Sequence, residues 1–262
     1  MRVHVVSDVH GHAEALARAG DGADALVVLG DLVDFVDYAD PTRGILGQVF
    51  GPEVSARFGQ LRATGRRGEM RAFVHEVWSR FDDPRAVVDE AVRAQYAVLF
   101  AAMPTPTYAI PGNVDVVDLW PEFARHGVCQ SDGQVVTIGG LRFGFVGGIP
   151  LPSGMTSFRG VAWTPHVLTA EDFTAAVERL CEADLLCSHP PPPAPQRAYD
   201  LVSRRSEAPS AALLARIRRD RPRAALFGHV HQPLAQRCRV GRTECVNVGH
   251  FRQTATPYVL RW

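Results

Sequence analysis

The chain contains no lysine: all 28 basic residues among its 262 are arginines. That absence removes whole reaction classes, because a P-loop needs a lysine on the phosphates and Schiff-base chemistry needs an amine. Arginine and acidic residues balance to zero formal charge, so the composition makes no electrostatic case for nucleic acid or an acidic membrane as main partner. Cysteine is sparse and odd in number. Cys129, Cys181, Cys187, Cys238 and Cys245 include no C-x-x-C pair, and they read as reduced thiols of a cytoplasmic protein. No apolar run approaches the ~18 residues of a membrane span, and the chain opens straight into a strand at Arg2, so neither a membrane segment nor a signal peptide is expected.

What is present is a set of short apolar runs that end in metal-ligating side chains. Ala25 to Leu29 breaks at Gly30 and delivers Asp31, as a buried parallel strand would deliver an acid to the rim of a sheet. Four other runs behave alike. Val3 to Val6 precedes Asp8 and His10, Tyr108 to Ile110 precedes Asn113, Leu185 to Cys187 precedes His189, and Ala224 to Phe227 precedes His229 and His231. Ligands of open α/β sheets gather at the carboxyl ends of strands, so these endings should converge on one crevice.

Between the runs the sequence alternates helix and strand. Ala13 to Ala19, Arg85 to Ala102, Ala170 to Cys181 and Ala208 to Arg219 read as helices. Gln134 to Ile138 and Leu141 to Val146 read as a hairpin through Gly139-Gly140. Leu234 to Val240, Thr243 to Val248 and Pro257 to Trp262 read as closing strands. Gly147 to Pro165 reads as a surface loop, and the prolines after His189 force the chain away from the strand end. From Phe35 to about Pro84, glycines interrupt short helical pieces carrying Phe50, Phe58, Phe73 and Trp78. This stretch is expected to be an insertion that caps the crevice and moves as a lid. The expected fold is therefore α/β: two mixed sheets packed as a sandwich, flanked by helices, in a single domain over 1–262 with an insertion at about 35–84.

Asp8-x-His10, Gly30-Asp31-x-x-Asp34, Gly112-Asn113-x-Asp115, Ser188-His189 with its prolines and Gly228-His229-x-His231 occur in the order seen in the calcineurin-like metallophosphoesterases, which the chain resembles from its first strand to its closing hairpins. Each motif alone is weak; five in order at strand ends are specific. The resemblance implies a dinuclear site with Asp8, His10 and His231 on one metal, Asn113, His189 and His229 on the other, and Asp31 bridging. A hydroxide held between the ions would attack a phosphoester. Carboxylate, amide and imidazole ligands without cysteine suit Mn, Fe, Zn or Ni, and two ions ~3.5–4 Å apart can clamp a phosphate for in-line attack. The implied substrate is a small phosphoester, a diester by slight preference, with phosphomonoesters and phosphoproteins as the alternative.

Several features are weighed against this reading. Asp34 and Asp115 are expected to support the ligand loops rather than bind metal. Phe73 and Trp78 are expected in the core, and the pairs Arg66-Arg67, Arg204-Arg205 and Arg218-Arg219 on solvated faces. His10-Gly11-His12 resembles the start of a metallo-β-lactamase loop, but Ala13 and Glu14 break that pattern. A non-catalytic scaffold of the same fold is the competing class, and stoichiometric metal would discriminate against it. Many relatives place a histidine, taken to protonate the leaving group, where this chain has Val114. His250, after a strand in Asn247-Val248-Gly249-His250, is expected to supply that proton, with His12 and His75 as its competitors.

Overall fold

Strands that must be covered on both faces need apolar side chains at every position, and the runs that end in ligands have that character. The structure, a computed structural model, describes residues 1–151, 162–193, 198–201, 205–207 and 209–262. In β2 (Ala25–Leu29) all five residues are buried, and in β1 (Arg2–Val6) only Arg2 is not. The first sheet continues through β3 (Thr107–Ile110) and β4 (Val128–Gln130) in parallel register, Leu29 facing Ile110 and Val6 facing Val28. The second contains β5 (Val135–Ile138), β6 (Leu141–Val146), β9 (Leu185–Ser188), β12 (Ala224–Phe227), β13 (Arg237–Val240) and β14 (Thr243–Asn247). Strand orders are β15-β1-β2-β3-β4, with β15 (Tyr258–Arg261) antiparallel on the edge, and β13-β14-β12-β9-β6-β5. In the second sheet the four central strands are parallel and the two edge strands antiparallel. Two further two-stranded pairings, β7 (Ile149–Pro150) with β8 (Val167–Leu168) and β10 (Tyr199–Asp200) with β11 (Arg205–Ser206), are stitched from loops.

The period-2 alternation of each strand sorts its side chains between two cores. Val3, Val5, Val27 and Leu29 point at the other sheet, where they meet Phe143, Phe145, Leu185 and Leu226. Their neighbours Val6, Leu26 and Val28 face outward onto helices α1 (Ala13–Arg18) and α5 (Pro84–Ala102), whose Leu16, Val88, Val92, Tyr96 and Leu99 are buried. On the far side, Leu186, Ala225 and Phe227 pack against α6 (Ala170–Glu178) and the helix Ala211–Asp220 through Phe173, Val177, Leu213 and Ile217. The expected sandwich with helices on both outer faces is therefore what forms.

The stretch 35–84 folds as three helices, α2 (Gly44–Phe50), α3 (Pro52–Ala63) and α4 (Arg67–Trp78). Their Ile45, Leu46, Val77 and Trp78 belong to the same buried cluster as α5, with Phe73 packed against it. The segment thus shares a core with the sheet, and excising it would strip buried side chains from that core.

Some boundaries and placements differ from expectation. The stretch between Asn113 and Gln134 holds a 3-10 helix (Val117–Phe123) and strand β4. A long-range parallel pairing with β3 gives β4 its identity, and three residues are too few to declare themselves in sequence. Residues 152–161 of the expected surface loop, and Arg204 of one arginine pair, lie outside the described residues. No helix among the described residues is long and apolar enough to cross a membrane.

Candidate metal centre

All the parallel strands run the same way in each sheet, so the loops after β1, β2, β3, β9, β12 and β14 meet at one edge. Backbone hydrogen bonds lace them together. Asp8 N–H donates to Gly30 O at 3.0 Å, His10 N–H to Asp31 O at 2.9 Å, and Gly228 N–H to His189 O at 3.0 Å. The glycines that precede the ligands make this approach feasible. A Cβ on Gly112 would sit 2.1 Å from Asp31 Oδ1, and one on Gly30, whose φ is 90°, would sit 2.3 Å from Gly112 N. Each loop therefore turns its ligand inward only because its neighbour lacks a side chain.

Four of the ligating candidates occupy left-handed backbone themselves: Asp8 (φ 58°), His10 (41°), Asp31 (53°) and His229 (68°). Non-glycine residues rarely sit there, and such conformations persist where the surrounding structure over-determines them, commonly at functional sites.

Among the described residues, three groups of side chains each bring their donor atoms within 4.8 Å of one another. They are Asp8, His10, Asp31 and His231; Asp31, His189 and His229; and His10, His231 and His250. Asp31 belongs to both of the groups that contain a carboxylate. Asn113 joins the second group, its Oδ1 lying 3.1 Å from His189 Nε2. The structure thus brings together every side chain that the sequence assigns to metal.

Ring orientation is set by the backbone. His10 Nδ1 donates to Val33 O at 3.1 Å and His189 Nδ1 to Leu29 O at 2.8 Å; a carbonyl only accepts, so each Nε2 is the atom turned to the site. Around these Nε2 atoms acceptors face one another. His10 Nε2 lies 3.2 Å from His231 Nε2, and His189 Nε2 lies 3.5 Å from Asp31 Oδ2 as well as 3.1 Å from Asn113 Oδ1. Asp8 Oδ1 lies 3.3 Å from His231 Nε2, and His229 Nε2 is buried without a hydrogen-bond partner among the described residues. Converging lone pairs need positive charge between them, either protons or cations, and the donor set of carboxylates, imidazoles and an amide oxygen fits a divalent transition metal.

Without a cation, protons can take that place. Burial alone would lower the His189 pKa, but the charge of Asp31 and its hydrogen bond outweigh it and raise it to about 9. Burial would raise Asp31, yet His189 holds it down at about 2. His229 is pushed down to about 4, first by burial and then by His189, so it is neutral near pH 7 and ready to bind. Because the folded value of His189 lies above 6.5, its proton stabilises the metal-free fold fully below pH 6.5, and that stabilisation is lost as pH rises through 9. A metal at this site must displace the same proton. Its apparent affinity should therefore rise about tenfold per pH unit between 6.5 and 9 and then level off. Titration calorimetry in buffers of different ionisation enthalpy would register about one proton released per metal at pH 7.5; a pH-independent affinity would show that His189 is no ligand.

Supporting groups occupy the places expected of them. Asp115 is buried and accepts from Gly112 N at 2.8 Å, Leu32 N at 3.1 Å and Tyr96 Oη at 3.1 Å, so it binds the Asp31 and Asn113 loops to each other. Burial, then Asp31, pushes its pKa up to about 6 against the pull of those N–H donors. Asp34 pairs with Arg252 at 2.8 Å. Arg252 gave no local signal in sequence, yet its guanidinium also holds Asp37 and reaches His10 O at 2.5 Å, which anchors the first metal loop. His166 likewise gave no signal in sequence: its backbone N–H donates to Asn113 O at 2.9 Å, and its Nε2 is buried without a hydrogen-bond partner among the described residues.

His250 reaches the site. Its ring stacks on His231 with centroids 3.9 Å apart and planes at 14°. Burial first, and His231 next, push its pKa down to about 3. Of its competitors, His12 Nδ1 lies 3.1 Å from the carbonyl of Arg252, and His75 lies in the last turn of α4; neither belongs to a donor group.

Comparison with known proteins bears on the family and the fold. The sequence model of a family described as calcineurin-like phosphoesterase matches residues 1–233. A search of curated proteins gave no match. Two solved structures are similar over nearly the whole chain. One is 16% identical with a TM-score of 0.56, covering 96% of this chain and 91% of its own. The other, TT1561 of Thermus thermophilus, is 13% identical with a TM-score of 0.53, covering 99% and 98%. At such identities the likeness speaks to fold alone.

Proposed function

From the premise that the chain belongs to the calcineurin-like phosphoesterase family, we propose that it hydrolyses phosphoester bonds at two metal ions that share Asp31, with a preference for small phosphodiesters. The observation that carries the reading is the presence of Asp31, 3% exposed, in both carboxylate-containing donor groups. Asp8, His10 and His231 complete the first group, and Asn113, His189 and His229 the second. When bound, the cations supply positive charge to the phosphoryl oxygens and promote ionisation of the attacking water. Mn, Fe, Zn and Ni all suit these ligands.

The protein's own contribution is positioning. Backbone carbonyls of Val33 and Leu29 hold His10 and His189 through Nδ1, so both turn Nε2 to the site. Asp31 is held from its other side, since Val114 N–H donates to its Oδ1 at 3.0 Å. His229 N–H similarly donates to Asp8 Oδ2 at 3.0 Å. Such donors keep carboxylates ionised and aimed, which a preorganised electrostatic site requires.

The preference for a diester rests on Val114. Its aliphatic side chain follows Asn113 where a proton donor would serve the leaving group, and a valine has nothing to donate. General-acid help contributes typically ~10²–10⁴-fold and matters most for poor leaving groups. A panel of mono- and diesters assayed with Mn should therefore show a steep dependence on leaving-group acidity, nitrophenyl esters exceeding alkyl esters by at least ~10²-fold beyond their uncatalysed difference. A shallow dependence would mean that another group donates the proton. A purified protein without stoichiometric metal and without activity on any ester would instead be a scaffold of this fold.

A further inference from the structure

We infer that Arg252 is a positioning residue that controls one of the two ions alone. Its guanidinium holds the backbone of His10 in the shape that aims the first metal's ligands, and the acids that open the segment 35–84 hold the guanidinium. The inference rests on the proposed metal centre and extends it to a residue that touches neither metal nor substrate.

The loop from Asp8 to His12 needs such a hold. Asp8 and His10 lie in left-handed backbone, at φ 58° and 41°, which a non-glycine residue leaves unless its surroundings prevent it. On one side the loop is tied to the loop after β2, where the carbonyls of Gly30, Asp31 and Leu32 accept from the N–H groups of Asp8, His10 and Gly11 at 3.0, 2.9 and 2.8 Å. On the other side the ties come from Arg252. Its backbone N–H donates to Asp8 O at 3.0 Å, its Nη1 donates to His10 O at 2.5 Å, and its carbonyl accepts from His12 Nδ1 at 3.1 Å. Any residue at 252 keeps the first and last of these, because they use its backbone. The contact with His10 O belongs to the guanidinium. His10 is thereby fixed at its N–H by Asp31, at its ring by Val33 and at its carbonyl by Arg252.

The guanidinium is itself fixed. Its Nη1 lies 2.8 Å from Asp34 Oδ2, and its Nη2 donates to Asp37 Oδ2. Both carboxylates are buried, and both belong to anchored turns. Asp34 N–H donates to Gln95 Oε1 at 2.8 Å and Asp34 O accepts from Gln95 Nε2 at 3.0 Å, which ties it to α5. Asp37 Oδ1 accepts from the N–H groups of Ala39 and Asp40 at 2.9 and 3.0 Å. Three oxygens in fixed directions suit the rigid fork of an arginine, whereas a lysine is a point charge that cannot span them. The connection ends at His10, which belongs to the donor group of Asp8, Asp31 and His231 and not to that of Asp31, His189 and His229. Loss of the guanidinium should therefore weaken the first ion and spare the second.

The test uses the full chain, stripped of metal and titrated with Zn and Mn against a chelator. Arg252→Ala should lose roughly 10–100-fold in affinity for one ion, the scale on which groups behind a metal ligand act, with the other ion unchanged. Added methylguanidine should restore most of that loss, and Arg252→Lys should fall well short of wild type. A double-mutant cycle identifies the ion: Arg252→Ala should add little in a His231→Ala background and act in full in a His229→Ala background. Because Arg252→Ala leaves two buried carboxylates without their partner, the combination of Asp34→Asn, Asp37→Asn and Arg252→Met supplies a neutral cluster, and it should show the same selective loss. Equal losses for both ions, a loss fully additive with His231→Ala, or no recovery with methylguanidine would make Arg252 a stabiliser of the fold and overturn the positioning role. Wild-type affinities in Arg252→Ala would overturn it too. A wild-type protein that binds no metal would overturn the metal centre itself, and this inference with it.

Discussion

Asp31→Asn should empty both metal positions and slow hydrolysis by roughly 10³-fold, the scale on which losing one preorganised electrostatic group is felt. The size of the effect follows from sharing. His231→Ala removes a donor from one carboxylate-containing group, whereas Asp31 is common to both, so only the latter should lower metal content from two per chain toward none. The amide is isosteric, and Val114 N–H, which donates to Asp31 Oδ1, can still donate to an amide oxygen. The fold should therefore survive. A second consequence distinguishes the bridging role from mere proximity. In the metal-free protein the Asp31 carboxylate is what raises His189 to about 9 over the opposing effect of burial; without it the ring should titrate far lower, and imidazole resonances followed by NMR against pH would show it. Two metals per chain with near-wild-type turnover in Asp31→Asn would end the bridging hypothesis.

Gly228→Ala should destabilise the fold and disturb the first donor group together. A Cβ there would meet Ser7 Oγ at 1.8 Å and Asp8 Oδ2 at 2.5 Å. Ser7 is fully buried and its hydroxyl donates to Leu29 O at 3.1 Å, so it has nowhere to withdraw. Overpacking of this kind costs about 1–3 kcal/mol, which for a chain of this size lowers Tm by roughly 2–4 °C per kcal/mol. Asp8 must move as well, so metal bound with His10 and His231 should weaken in step. Gly68→Ala is the control. It lies within α4, and an added Cβ meets nothing within 4 Å, so it should leave Tm unchanged or raise it slightly. Equal melting temperatures for the two variants would show that the β12 loop does not press on the β1 loop as described.

Val3 to Val6, Ala25 to Leu29 and Ala224 to Phe227 could be read from sequence as strands because both faces of each are covered, one by the other sheet and one by helices. Burial on two sides demands unbroken hydrophobicity, and the first polar residue then marks the rim. The same physics made Asp8, Asp31, Asn113, His189 and His229 visible as candidates, since a carboxylate or imidazole directly after such a run has few other reasons to be there. The helix expected over Arg85 to Ala102 forms over Pro84–Ala102 because its apolar stripe of Val88, Val92, Tyr96 and Leu99 has one period and one partner. β4 and the pairing of Ile149–Pro150 with Val167–Leu168 gave no comparable signal, because two or three residues cannot show a period and their partners are remote.

Local order, strand ends and the kinds of ligand are thus properties of the chain itself, carried by hydrophobic runs and the glycines beside them. Who meets whom across the edge is a property of the fold. Arg252 lies 242 positions from His10, whose carbonyl it holds, and His250 stands against His231 only because Asn247 binds the two loops. The left-handed backbone at Asp8, His10, Asp31 and His229 is likewise imposed from outside. An isolated residue would relax from it, and hydrogen bonds from neighbouring loops prevent that. Sequence could name His250 as a residue of interest, but whether its ring carries a proton or a lone pair depends on burial and on the rings packed around it, which exist only once both sheets have closed.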